Sequence, residues 1–202
     1  MRPSFEEDRR LISECLSGDR GAWETVVRRF SNLVYQTART TFIAKQTPFS
    51  RQDLEDLHNT VFLGLFEQDC AKLRLYQGRN GCTLASWIRI VTVRMVLNHL
   101  RKRGVDGLLW ERKKVPVEEL SWLRGEDQGP LALMESAEQE ELVHEGMKSL
   151  APRDRLFMKL HIDQGLPVEE VAEALRISVQ NAYVVKHRAV ERLRTYLVSH
   201  GK

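Results

Sequence analysis

Apolar residues recur at spacings of three and four along almost the whole chain, and no stretch keeps a two-residue alternation for long. This period predicts an all-α protein. Glycine, proline and serine positions divide the first half of the chain into separate helical stretches. We place four helices there, at about residues 11–16, 23–38, 53–66 and 84–103, with Gly104 ending the fourth.

Three acidic residues stand close to the predicted start of the third helix. Asp53 is the expected N-cap residue, and Glu55 and Asp56 fall in the first turn, where the helix dipole favours negative charge. Asp53, Asp56 and Asn59 repeat at about one helical turn and are expected to share a face. We therefore interpret the cluster as capping residues and a docking face, not as a catalytic site.

The helical period is lost between Val105 and about Glu138, where glycines and prolines stand among acidic residues. This composition is typical of a flexible linker. We therefore divide the chain into a first domain at 1–105, an acidic linker at 106–138 and a second helical domain at 139–202. The expected core of the second domain is Leu142, Met147, Leu150, Leu156, Phe157, Leu160, Val171, Leu175, Ile177 and Leu193.

The distribution of charge is more informative than the net charge of +3. Residues 86–114 hold eight basic and two acidic side chains, and residues 176–202 hold six basic and one acidic. Residues 118–145, which lie between them, hold nine acidic side chains and one basic. Two basic segments on either side of an acidic one favour a polyanionic partner such as DNA.

Nothing in the sequence indicates an enzyme. Phosphate-binding loops of the form G-x-x-x-x-G-K-[ST] and G-x-S-x-G nucleophile elbows are absent, and the six histidines lack the spacing of metal ligands. We predict no catalytic residue, no metal and no cofactor. Three widely spaced cysteines and the lack of a signal peptide or an apolar span predict a cytoplasmic protein that does not insert into membranes.

The pattern from Leu166 to Leu193 is typical of a helix-turn-helix. Its expected buried positions are Val171, Ala172, Leu175, Ile177, Ala182 and Val185. Ser178 is predicted to cap the second helix, whose first turn would point its backbone N–H groups at DNA. Arg176 occupies the turn position usually taken by glycine, at a cost of about 1 kcal/mol for a left-handed conformation. The alternative is a plain three-helix bundle with a solvated basic face.

The fourth helix, from Trp87 to Arg103, combines arginine, asparagine and histidine with an aromatic residue. Such a surface suits single-stranded DNA, because cations hold the phosphates while aromatic and amide groups bind unstacked bases. The alternative is that Trp87 anchors the core and that the basic residues only solvate the end of the helix.

Four motifs, in this order, resemble those of the sigma-70 family of RNA polymerase sigma factors, extracytoplasmic-function subgroup. Residues 18–23, GDRGAW, resemble the family's opening G-D-x-x-A-aromatic, and residues 53–63, DLEDLHNTVFL, resemble its core-binding D-x-E-D-L-x-Q-E-x-F-L. Residues 87–103 resemble its promoter-melting helix, and residues 150–178 resemble its L-P-x-R-x-R and G-L-S-Y-E-E-I-A-E-x-L-G-I-S segments. The resemblance covers nearly the whole chain and implies the family's region 2 and region 4 domains.

The resemblance also implies roles for individual residues. Contacts with the clamp helices of core RNA polymerase are implied for Asp53, Asp56, Leu57 and Asn59. Contacts with the opened −10 element are implied for Trp87, Arg94, Asn98, His99, Arg101 and Lys102. Contacts with the −35 element are implied for Ser178, Gln180, Asn181, Tyr183, Lys186, His187 and Arg188. Asn59, Thr60 and Arg94 depart from the family's usual Gln, Glu and Asn.

The sequence thus predicts a sigma factor whose partners are core RNA polymerase and promoter DNA. An inhibitory anti-sigma factor is a further partner that the resemblance implies. Two other hypotheses are a free-standing helix-turn-helix regulator that acts without polymerase and a recombinase targeted by its C-terminal helix-turn-helix. Both leave the segment from Asp53 to Arg103 unexplained, and the first domain lacks a nucleophile in a recognisable basic setting.

Overall fold

The computed structural model describes residues 5–78, 81–104 and 133–200. These residues form eight α-helices and no strand, which confirms the predicted all-α class. The described residues divide into two compact units, one of residues 5–42, 49–78 and 81–104 and one of residues 43–48 and 133–200. The helices are α1 (Phe5–Leu16), α2 (Arg20–Ala44), α3 (Arg51–Cys70), α4 (Leu84–Lys102), α5 (Leu133–Ser149), α6 (Pro152–Met158), α7 (Val168–Leu175) and α8 (Val179–His200).

The first unit is built from α1 to α4 around one apolar core. The Met95 side chain of α4 lies over Gly64 of α3, where a Cβ atom would be 2.7 Å from Met95 Cε. Apolar side chains of all four helices meet in this core, which accounts for the helical period of the sequence. Its buried members are Leu11, Ile12, Cys15, Ala22, Val26, Phe30, Val34, Val61, Phe62, Leu65, Cys70, Leu73, Tyr76, Leu84 and Ile88.

The start of α3 differs from the prediction. Ser50, and not Asp53, is the N-cap residue: its Oγ accepts the Asp53 N–H at 3.1 Å. Asp53 is the third helical residue and completes a capping box by accepting the Ser50 N–H at 2.8 Å. Glu55 and Asp56 consequently lie beyond the first turn, because the helix begins at Arg51.

The ends of α2 and α4 depend on their flanking residues. α2 continues to Ala44, six residues past the predicted end, since no helix-breaking residue stands between Ala38 and Ala44. α4 ends at Lys102, and Gly104 follows with a φ of +71°, a left-handed conformation that glycine adopts without strain. The expectation that Gly104 ends this helix is confirmed.

The second unit is built from α5 to α8, and a π-helical turn, Lys159–Asp163, follows α6 directly. α5 begins at Leu133, so residues 133–138, assigned to the linker from the sequence, are helical. The rest of the predicted linker lies outside the described residues. Of the ten predicted core residues, Met147, Leu150, Leu156, Phe157, Leu160 and Val171 are buried, and Leu142, Leu175, Ile177 and Leu193 are half-buried.

A buried arginine closes the end of α5. The Arg155 guanidinium donates to three backbone carbonyls at the end of α5, those of Met147 at 2.9 Å, Lys148 at 2.7 Å and Leu150 at 2.6 Å, and to a fourth, Ala44 O, at 3.3 Å. The last carbonyls of a helix have no partner within it, so these bonds replace the missing N–H donors. Within the described segments, no helix combines the length and the apolar character needed to cross a membrane.

Candidate functional site

The turn between α7 and α8 has the conformation that the sequence predicted. Arg176 ends α7 with φ +54° and ψ +50°, in the left-handed region that usually favours glycine. The N–H group of the next residue, Ile177, donates to Ala172 O at 3.0 Å and so closes the helix. This turn sets the direction in which α8 leaves α7.

The start of α8 presents polar side chains to solvent. Ser178 Oγ accepts the Asn181 N–H at 3.2 Å, which confirms the predicted cap. Gln180 and Asn181, in the first turn, are exposed. Ala182, Val185 and Ala189 of the same helix are buried, so α8 fixes one face in the core and leaves the other accessible.

Two predicted DNA-binding residues of α8 are engaged within their own unit. The Tyr183 hydroxyl donates to Glu169 Oε1 of α7 at 2.9 Å. The pKa of Glu169 lies below its usual value because of a bond to its own backbone N–H and because of this hydroxyl. Lys186 is half-buried and His187 is exposed on the same helix.

The other engaged residue is Arg188, which pairs with a buried carboxylate that the sequence analysis missed. Asp154, near the start of α6, is 1% exposed. Its Oδ2 accepts from Arg188 Nε at 3.0 Å, and its Oδ1 accepts from Arg188 Nη2 at 2.5 Å. Arg192 Nη1 lies 3.6 Å from Oδ2. Asp154 lies in residues 150–155, LAPRDR, within the segment that resembles L-P-x-R-x-R, but nothing in the local sequence identifies a partner 34 residues away.

A second missed carboxylate fixes the start of α4. Asp8 of α1 is 2% exposed; its Oδ2 accepts the backbone N–H of Leu84 at 3.0 Å, and its Oδ1 accepts from Arg29 Nη2 at 2.9 Å. Thr83 caps the same helix by accepting the Ser86 N–H at 3.1 Å. The first turn of α4 is thus bonded to α1 and, through Asp8, to α2.

α4 separates its candidate DNA-binding residues into two groups. Trp87 is half-buried and packs against the core. Its ring and the Tyr76 ring form an edge-to-face contact, with their centroids 5.9 Å apart. Asn98 lies about 16 Å further along the helix axis. The group at this end consists of Asn98, Arg101 and Lys102, which are exposed, and His99, which is half-buried. Arg94, one turn before Asn98, is half-buried.

The exposed face of α3 contains some, but not all, of the predicted polymerase-binding residues. Asp56 and Asn59 are exposed, whereas Leu57 is buried, with 2% of its surface exposed. Asp53 is directed to the end of α4, where its Oδ1 accepts from Arg103 Nη1 at 2.7 Å. Leu63, which is 59% exposed and one turn beyond Asn59, adds an apolar side chain that the sequence analysis did not single out.

Metal-ligating side chains and cysteines are the remaining candidates for chemistry among the described residues. In the parts of the chain that the structure describes, no group of three His, Cys, Asp or Glu side chains could hold a metal ion. All three cysteines lie in those parts, and none of them forms a disulfide. Burial raises the pKa of Cys15 to about 11, so its thiol stays protonated at neutral pH.

Comparison with known proteins shows a structural similarity over nearly the whole chain. No protein-family model matches the sequence, and no curated protein matches it. Among solved structures, the chain is similar to CnrH in its complex with the cytosolic domain of CnrY, with a TM-score of 0.53 and 19% sequence identity. The alignment covers 96% of this chain and 98% of that chain. The protein therefore shares the all-helical fold of CnrH.

Proposed function

We propose that this protein is a sigma factor of the extracytoplasmic-function group, which binds core RNA polymerase and directs it to promoter DNA. The observation that carries the proposal is the capped start of α8, where Gln180 and Asn181 are exposed after a helix-turn-helix turn. The fold shared with CnrH, a sigma factor of that group, supports the same function. The protein has no catalytic role in this proposal and needs no cofactor.

In the proposed complex, α8 binds the −35 element of duplex DNA. Its first turn enters the major groove, where the amides of Gln180 and Asn181 match the donor and acceptor pattern of a base edge. Ser178 keeps the backbone N–H groups of that turn oriented, and Lys186 and His187 follow where the phosphates pass. Tyr183 and Arg188 hold α8 in place through their bonds to α7 and α6, beside any contact with DNA.

The proposed site for the opened −10 element is the end of α4. Asn98, His99, Arg101 and Lys102 combine amide, imidazole and cationic groups within two turns, a mixture that suits unstacked bases and their phosphates. Arg94 extends this surface by one turn toward Trp87. Packing of Trp87 against the core favours an anchoring role for its indole ring over base stacking.

The proposed polymerase-binding surface is the exposed face of α3, consisting of Asp56, Asn59 and Leu63. An acidic, an amide and an apolar side chain at spacings of three and four can bind a helical partner with basic and apolar groups. Leu57 supports this face from the core below it. CnrH was solved with the cytosolic domain of CnrY, which supports a protein inhibitor as a further partner here.

Run-off transcription with purified core polymerase on genomic DNA fragments tests this function. We expect discrete transcripts that require the protein, because core polymerase alone lacks promoter recognition. Asp56→Lys is the matched variant: it reverses an exposed charge and should reduce both the binding of core polymerase and the transcript yield. Binding to an operator by the protein alone, with no transcript and no binding to core polymerase, would instead favour a free-standing regulator.

A further inference from the structure

The carboxylate of Asp53 forms hydrogen bonds with two residues of the first unit, Ser50 and Arg103. Oδ2 accepts from the backbone N–H and from the hydroxyl of Ser50, each at 2.8 Å. Oδ1 accepts from Arg103 Nη1 at 2.7 Å. The side chain is 17% exposed, whereas Asp56, one turn further along α3, is exposed. Asp53 is therefore turned away from the face that Asp56 and Asn59 share.

Arg103 connects this carboxylate to the candidate DNA-binding end of α4. It is the residue that follows α4, and its backbone N–H donates to His99 O at 3.1 Å. Its Nη1 atom, which donates to Asp53, also lies 3.4 Å from His99 Nε2. The His99 ring also lies nearly perpendicular to the Phe42 ring, with a centroid distance of 6.4 Å. The guanidinium thus bridges Asp53 and the imidazole of His99.

The electrostatics favour this arrangement. Asp53 lies at the start of α3, the positive end of the helix dipole, and Arg103 lies at the end of α4, the negative end. Partial burial disfavours the charged form of Asp53, but the Ser50 hydrogen bonds and the Arg103 charge outweigh it, so the pKa of Asp53 is lowered. Asp53 is charged at neutral pH and can hold Arg103 over the whole physiological range.

We propose that Asp53 is a positioning residue for the opened strand of promoter DNA, which acts through Arg103 on His99, and that it is not a contact of the polymerase. The proposal rests on the proposed sigma-factor function, because it concerns whether Asp53 acts in polymerase binding or in promoter opening. Asp53 fixes the guanidinium of Arg103, and the guanidinium fixes the imidazole. A base that binds beside Asn98 then meets a His99 ring that is already oriented.

The test compares Asp53→Asn with Arg103→Gln in the full-length protein bound to core polymerase. Asparagine keeps the size of the side chain and an acceptor for Ser50 but removes the charge that holds Arg103. Two quantities are measured: the Kd for core polymerase, and the rate of strand opening on a promoter from the run-off assay that carries a fluorescent base analogue in its −10 element. We expect both variants to slow opening by about two- to fivefold, in line with an exposed ion pair, with the Kd for core polymerase unchanged.

Two comparisons separate positioning from a structural effect. The double variant should open the promoter no more slowly than either single variant, because both changes break the same link. Ser50→Ala, which removes the cap hydroxyl but leaves the Arg103 pair, should open it at the wild-type rate. Equal losses of opening rate in Ser50→Ala and Asp53→Asn would assign the effect to fraying of α3. A double variant whose loss is the product of the two single losses would show that Asp53 and Arg103 act independently. Either result overturns the proposal.

The polymerase titration distinguishes the remaining outcomes. A Kd for core polymerase that rises in Asp53→Asn as much as in Asp56→Asn would make Asp53 a polymerase contact and overturn the positioning role, while leaving the proposed function intact. A wild-type protein that neither binds core polymerase nor opens any promoter would overturn the proposed function itself, and this proposal with it.

Discussion

Asp154 and Arg188 form a two-pronged ion pair in which Arg188 Nε lies 3.0 Å from Oδ2 and Arg188 Nη2 lies 2.5 Å from Oδ1. The carboxylate is buried, and its basic partners are Arg188 and the more distant Arg192. The pair joins α6 to the exposed helix α8, so an arginine that the sequence assigns to DNA also determines how its helix sits in the unit.

Arg188→Ala should lower the free energy of unfolding, because it leaves the buried Asp154 carboxylate without its principal partner. Chemical denaturation followed by circular dichroism measures this change. Arg194→Ala, an exposed position on the same helix, serves as the control and should change the stability by less than about 0.5 kcal/mol. Equal stability of the two variants would mean that Arg192 and solvent compensate the Asp154 charge.

Base recognition by α8 should be confined to its first turn. Gln180→Ala and Asn181→Ala should each cost about 1–3 kcal/mol of binding free energy on the correct −35 sequence and little on a scrambled one. Lys186→Ala should weaken binding to both sequences and lower the slope of log K against log salt concentration by about one. Lys186 is the better phosphate probe, since Arg188→Ala also disturbs Asp154. Titrations of the protein bound to core polymerase, at two salt concentrations, measure these effects; equal losses on both sequences would remove base recognition from Gln180 and Asn181.

Asp8 should be essential for the start of α4. Asp8→Ala removes the acceptor of the buried Leu84 N–H and the partner of Arg29, so the free energy of unfolding should fall by about 2–3 kcal/mol. Hydrogen exchange at the Leu84 amide should accelerate more than at Ser86, whose N–H keeps its bond to Thr83. Glu6→Ala, an exposed change on α1, is the control. An unchanged exchange rate at Leu84 would show that the Asp8 bond does not hold this turn.

Arg176→Gly should stabilise the second unit by about 1 kcal/mol, since glycine adopts a φ of +54° without the steric cost of a side chain. A gain of this size raises Tm by about 4–8 °C in a domain of 60–100 residues. Arg176→Ala retains a Cβ atom and should bring no such gain. A Tm for the glycine variant at or below that of the wild type would mean that contacts of the arginine side chain offset the backbone strain.

The features that depend on residues close together in the sequence could be predicted from it. The helical class, the Ser178 cap and the left-handed turn at Arg176 depend on apolar spacing, on one hydroxyl or on one backbone position. The prediction that Asp53 is an N-cap was wrong because Ser50 and Asp53 can both cap a helix, and only the backbone geometry decides which of them does.

The ion pairs and hydrogen bonds that fix the candidate site could not be predicted. Asp8 meets the Leu84 N–H across 76 residues, and Asp53 meets Arg103 across 50. Apolar periodicity identifies the buried face of a helix. It does not identify which distant charged residue pairs with a side chain of that helix, because the pairing depends on how the helices are packed. For the same reason the sequence did not distinguish Asp53, which is engaged with α4, from Asp56, which is exposed.

Asp8 holds the start of α4 and Asp53 holds the residue after its end, so the helix is anchored at both ends within its own unit. A surface anchored in this way loses little conformational entropy on binding, so the distortion in the proposed complex falls on the DNA. Promoter preference would then depend on how easily each sequence unstacks as well as on the bases that it presents. Flexible T-A steps would be favoured even where no side chain contacts them.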